Sequence, residues 1–91
     1  NQIPDKFSLQ QNYPNPFNPS TKIEFSVPEN SFVNLKVFDI TGKQIEELVN
    51  DSFIAGNYKY DFNAKSLPSG IYFYKLETEK FTEIKKMILL K

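Results

Sequence analysis

Carboxylates are the main side chains of this 91-residue sequence that could do acid–base or hydrolytic chemistry, because it contains no His and no Cys. Without His, the usual general base near neutral pH and the commonest metal ligand are missing. Without Cys as well, Ser–His and Cys–His nucleophile systems, thiolate metal sites and disulfides are excluded. Paired carboxylates could still work in the manner of a glycosidase. The candidates are Glu46, Glu47, Asp61, Glu77, Glu79 and Glu83. All fall in alternating segments or turns, where a solvated charge is the default, so the chain is read as non-enzymatic, with no catalytic residue. A zinc site would have to be built from carboxylates alone, which is rare. The three glycines stand apart and form no phosphate-cradling loop. A loop calcium site using Asp39, Asp61 or the side chains of Asn15 and Asn18 is the one cofactor the pattern allows. Asn in a proline-rich loop ordinarily forms turns, however, and the expectation is no cofactor.

Charge adds little. Eleven basic residues balance eleven acidic ones, which argues against nucleic acid or an anionic membrane as a partner. From Lys75 onward five Lys face three Glu, a slight bias that a solvated strand face accounts for. No apolar run approaches the ~18 residues of a membrane helix. The longest, Met87-Ile88-Leu89-Leu90, has four residues. There is no signal peptide, and the sequence starts at Asn1 rather than Met. It therefore reads as part of a longer chain, whose export signal, if any, lies upstream.

The segment Tyr13-Pro14-Asn15-Pro16-Phe17-Asn18-Pro19-Ser20-Thr21 holds three prolines in six residues. Each fixes φ, removes a backbone donor and pushes its predecessor toward extended geometry. A stiff, aromatic-bearing loop thus leads directly into the alternating run Lys22-Ile23-Glu24-Phe25-Ser26-Val27.

The elements around it are short strands. Residues 1–6, with Pro4, read as the tail of a linker, and residues 7–91 as one domain. Strands are expected over 7–10, 20–27, 32–39, 43–50, 58–62, 71–78 and 81–90, on period-two alternation and β-branched or aromatic content. Asp39-Ile40-Thr41-Gly42 reads as a tight hairpin turn. Ile45 and Leu48 are three apart, which fits a helical turn or a bulged strand; the all-β context favours the strand. Ala55-Gly56-Asn57 and Leu67-Pro68-Ser69-Gly70 read as further turns, with Gly42, Gly56 and Gly70 as turn glycines. Tyr58, Tyr60 and Phe62 share one face and read as core, with a sugar-stacking platform as the alternative. Seven strands with turn signals every ~8–12 residues predict an all-β, immunoglobulin-like β-sandwich of antiparallel strands.

Three landmarks in register carry a family resemblance. The first is Leu9-Gln10-Gln11-Asn12 running through the proline segment to Ile23 and Phe25. The second is Val33-Asn34-Leu35-Lys36-Val37-Phe38-Asp39-Ile40-Thr41-Gly42, continuing to Ala55-Gly56. The third is Leu67-Pro68-Ser69-Gly70-Ile71-Tyr72-Phe73-Tyr74-Lys75-Leu76, ending in Lys85-Lys86-Met87-Ile88-Leu89-Leu90-Lys91. Together they resemble the type A C-terminal sorting domain of the type IX (Por) secretion system of certain Gram-negative bacteria. Phe38 stands where that family usually has Tyr, and Tyr58 where His is frequent; both keep size and aromaticity.

The resemblance implies an immunoglobulin-like fold and a sorting signal for an upstream cargo. That cargo would pass through the periplasm and cross the outer membrane to the cell surface or the medium. The implied partners are the outer-membrane translocon, a surface sortase and the cargo domain, with no nucleic acid and no membrane insertion. The residues expected to be recognised are Pro14, Asn15, Pro16, Phe17, Asn18 and Pro19 of the loop, with Lys85, Lys86 and Lys91. The last strand could also offer its edge to a receptor. Two other readings stand beside these: the loop as a cap on one end of the sandwich, and the domain as a carbohydrate-binding or spacer module of a secreted enzyme.

Overall fold

A computed structural model describes residues 3–91; Asn1 and Gln2, the first part of the expected linker tail, lie outside the described residues. The chain forms seven strands: β1 (Ser8–Leu9), β2 (Ser20–Val27), β3 (Ser31–Phe38), β4 (Gln44–Phe53), β5 (Gly56–Asn63), β6 (Gly70–Glu77) and β7 (Thr82–Leu89). All pair antiparallel, in a three-stranded sheet of order β1-β2-β5 and a four-stranded sheet of order β4-β3-β6-β7. This is an immunoglobulin-like sandwich in which the fourth strand extends the sheet of the third.

Alternation decides which side chains meet between the sheets. Thr21, Ile23, Phe25 and Val27 of β2 are buried, while Ser20, Lys22 and Glu24 between them are exposed. Val33, Leu35 and Val37 of β3, Tyr72, Tyr74 and Leu76 of β6, and Met87 and Leu89 of β7 supply the opposing wall. A ring cluster of Phe25, Phe53 and Tyr58 fills one part, with centroids 4.7 to 5.6 Å apart. Tyr72 sits near the start of β6 and donates its hydroxyl to the carbonyl of Pro68 at 2.6 Å. That is the tyrosine corner of this fold class.

The β3–β4 hairpin turns on Asp39 and Gly42. Oδ1 of Asp39 accepts from Thr41 N (2.9 Å), Thr41 Oγ1 (2.6 Å) and Lys43 N (3.0 Å). These bonds, the Thr41 hydroxyl first, hold the Asp39 carboxyl below its ordinary value. Gly42 has φ of +90°, a conformation that a side chain opposes. The ambiguous spacing of Ile45 and Leu48 resolves as two bulges. Leu35 faces Val49 and Lys36 faces Glu47, so Leu48 is passed over; Val37 faces Glu46 and Phe38 faces Gln44, so Ile45 is passed over. Each is the extra residue that bends an edge strand.

Most boundaries differ from expectation by a residue or two, with Gly70 opening β6 rather than closing a turn, and the largest differences fall between β4 and β5. β4 runs on to Phe53, and Gly56 and Asn57 belong to β5, so the turn there is confined to Ile54 and Ala55. Gly56 has ordinary backbone geometry, and the nearest atoms to a Cβ there would be the Tyr58 hydroxyl at 3.4 Å and its ring at 3.5 Å, ordinary van der Waals distances.

Candidate recognition surface

The proline loop leaves the three-stranded sheet after β1, crosses to the outer edge of β7 and returns as β2. Around Asn12, a buried polar knot fixes its start. The backbone N–H of Asn12 donates to the Tyr74 hydroxyl at 2.7 Å, and that hydroxyl donates to the Gln10 carbonyl at 2.7 Å. Asn12 Nδ2 donates to Thr21 Oγ1 (3.0 Å) and to the Pro14 carbonyl (3.2 Å); the Thr21 hydroxyl also donates to the Pro14 carbonyl, at 2.8 Å. Among the described residues no buried side-chain N or O lacks a partner. A fully satisfied knot of this kind specifies one arrangement. Burial pushes the Tyr74 phenol up to about 12, against the opposing pull of its bond from Asn12 and with a smaller upward contribution from Glu83.

The loop is then stitched to β7, which its prolines make feasible. Three of its residues, Gln11, Asn15 and Phe17, supply the bonds that reach that strand edge. Ile88 N donates to Asn15 Oδ1, Phe17 N donates to the Ile88 carbonyl, and Leu90 N donates to the Phe17 carbonyl, each at 2.9 Å. Gln11 Nε2 reaches the Lys86 carbonyl at 2.7 Å. Phe17 and Leu89 form a parallel bridge. The Phe17 ring enters the core, only 2% exposed, and lies 6.3 Å from the Phe62 ring. Loop and last strand are therefore one composite structure joined across more than seventy residues of sequence.

The nine expected recognition residues divide accordingly. Pro14, Asn15, Pro16 and Asn18 are exposed and Pro19 half-buried. Phe17 is an internal anchor, since its aromatic surface is spent on the core and cannot meet a partner in this fold. Lys85 and Lys86 project from opposite faces of β7, as neighbours in a strand must. Lys85 pairs with Glu83 at 3.1 Å, while Lys86 is exposed opposite Phe73. Lys91 turns toward the loop after β5, its N–H on Ser69 Oγ at 3.0 Å and its ammonium on the Lys65 carbonyl. The three lysines thus do not share one face. The last strand's edge is likewise not open over its final residues, because the loop already occupies its hydrogen-bonding groups there.

A residue that sequence reasoning passed over is Tyr13. It pairs with Lys22 by two 3.0 Å backbone bonds and stands 80% exposed. Beside it a shallow groove of about 460 Å³ runs over Pro14, Ser20, Thr21, Lys22 and Asp61. Its signal was present: extending the β2 alternation across the pairing puts Tyr13 on the outer face with Lys22. Tyr58 and Tyr60, by contrast, are half-buried at the core margin and Phe62 is buried. The carboxylates considered for catalysis are spread over β4, β5, β6, β7 and the turn between the last two. Asp61 pairs with Lys22 at 3.0 Å and Glu77 lies 3.9 Å from Lys75. Of the oxygens considered for calcium, one each of Asp39, Asp61 and Asn15, the Oδ1 atom, accepts a hydrogen bond.

The fold and its clamped loop define a small immunoglobulin-like β-sandwich. The chain belongs to the secretion system C-terminal sorting domain family, which it matches over residues 11–90, and it is a C-terminal sorting domain of type IX secretion. A comparison with curated proteins returns no match.

Proposed function

We propose that the domain directs a cargo attached upstream of it across the outer membrane, and that it is read as a folded surface by the type IX translocon and a surface sortase. The cargo passes through the periplasm and ends at the cell surface or in the medium, and the domain itself acts without catalysis or a cofactor. The observation that carries this reading is the stitched loop. It holds Tyr13, Pro14, Pro16 and Asn18 outward on a backbone ordered before any partner arrives, which lowers the entropic cost of recognition. The inward turn of the Tyr58, Tyr60 and Phe62 rings removes the flat platform that a carbohydrate-binding module would use.

The test is export. The domain is fused to the C-terminus of a periplasm-targeted fluorescent protein in a host with type IX machinery. Fluorescence should reach the surface or the medium and stay periplasmic in a machinery-deleted strain. Tyr13→Ser and Asn18→Ala, which leave the core untouched, should reduce export while the fusion stays folded. Unimpaired export by the double variant would overturn the loop's assigned part, and export independent of the machinery would overturn the function.

A further inference from the structure

We propose that β5 pairs edge to edge with β5 of a second copy of this chain. β5 closes the three-stranded sheet, and its eight residues pair with β2 without a register shift. The backbone groups of Lys22 bond to Tyr13, and the Glu24 carbonyl accepts from Gln10, so these residues of β2 face away from β5. Thr21, Ile23 and Phe25 therefore face Phe62, Tyr60 and Tyr58, and the Ala64 N–H bond to the Pro19 carbonyl continues the same parity. The N–H and C=O groups of Asn57, Lys59, Asp61 and Asn63 consequently point to the open edge. None has a hydrogen-bond partner there among the described residues.

The sandwich guards its other edges. β1 is only two residues long, β4 carries two bulges, and the proline loop covers the end of β7. Short strands, bulges and covering segments are the usual protections of an edge. β5 has none of these three and no proline; of the charged side chains that also guard edges it carries Lys59 and Asp61.

Its side chains are also self-complementary. In an antiparallel pair centred on Tyr60, Lys59 lies opposite Asp61 of the second copy, and Asp61 opposite Lys59. Asn57 meets Asn63, and Tyr58 meets Phe62. In this register the four residues with free backbone groups on each copy face one another, so every one of those groups finds a partner. Lys59 makes no ion pair among the described residues, and Asp61 is exposed with only Oδ1 engaged by Lys22. The half-buried Tyr58 and Tyr60 rings would be covered at the seam. Such a two-fold contact is isologous and closed, which limits assembly to a dimer. It lies on the far side of β2 from Tyr13, so both copies keep their loops free, while Asp61 at the seam also borders the groove beside Tyr13.

A contact one strand long buries less than the roughly 1,200 Å² of a standard stable interface, so association should be weak and seen at about 0.1–1 mM protein. Sedimentation equilibrium of the 91-residue chain should show a monomer–dimer equilibrium in that range. Amide exchange at Asn57, Lys59, Asp61 and Asn63 should slow as concentration rises. Lys59→Glu, which sets two acids opposite each other twice, should weaken the dimer roughly tenfold. Lys59→Pro removes an N–H that the intramolecular ladder does not use and should abolish dimerisation. If that variant does not fold, Lys59→Glu and the exchange pattern decide. A monomer throughout, self-association indifferent to these variants, or protection on β4 instead of β5 would overturn the proposal.

Discussion

Replacing Tyr74 by Phe removes one oxygen from the centre of the knot beneath the proline loop. Two 2.7 Å hydrogen bonds disappear with it. The Asn12 N–H is then left in a residue only 2% exposed; an unpaired buried donor costs about 1–3 kcal/mol. Gln10 is exposed, so its carbonyl can turn to water and adds less. The expected loss is about 2–3 kcal/mol, or roughly 10–20 °C in Tm for a domain of this size. Urea unfolding should show a lower midpoint with an unchanged slope, because the surface exposed on unfolding is the same. The pH dependence supplies a second signature. The phenol is pushed up to about 12 in the fold from an ordinary 10.0. Between those values the native state holds a proton that the unfolded chain has released, so stability falls as pH rises. Wild type should therefore lose its advantage over Tyr74→Phe between pH 10 and 12, and the two curves converge. A loss under about 0.5 kcal/mol at neutral pH, or a gap that stays constant through the alkaline range, would refute the reasoning.

Phe17→Ala should cost about 3–5 kcal/mol by emptying a core site, and amide exchange should show Leu90 losing protection along with the loop. Gly42→Val forces a side chain into φ of +90° and should destabilise the hairpin by about 1–2 kcal/mol, read by thermal denaturation, whereas Gly56→Ala should be nearly neutral in the same assay. Asp39→Ala should lower stability at pH 7. Because the fold depresses the Asp39 carboxyl below 3.8, that contribution is complete above its unfolded value and fades as pH falls through the folded one. The difference between variant and wild type should therefore vanish at the acidic end of a pH titration.

Period-two alternation made β2 and β3 readable, because one face of each is buried and a polar residue on that face would be costly; β6 was readable instead from its run of β-formers, Ile71 to Tyr74. The turn at Asp39 and Gly42 was legible for a local reason: one side chain and one φ suffice to build it. β4 was harder, since its two bulges break the alternation that would have marked it. The part of Phe17 as an anchor was not legible by itself, although the reading of the loop as a cap on the sandwich leaves room for it. A Phe between prolines reads as presented outward, and nothing in its neighbours encodes a bridge to Leu89. Asn12 and Thr21 were hidden likewise: the Asn12 N–H is held by a tyrosine on the other sheet, and both side chains converge on the Pro14 carbonyl. Local pattern fixes which faces are wet; it carries no record of which distant edge a loop will cover.

The stitches between the loop and β7 also impose an order in time. A ribosome makes residues 11–19 long before residues 86–90, yet the loop's bonds from Asn15 and Phe17 end on Ile88 and Leu90. Until that late segment has emerged and paired, the loop lacks the strand edge to which Asn15 and Phe17 bond. A chain cut short by premature termination or trimmed by a protease would carry every residue of the proline segment and still not display its shape. Display of the loop's shape therefore depends on the presence of β7 as much as on the proline segment itself.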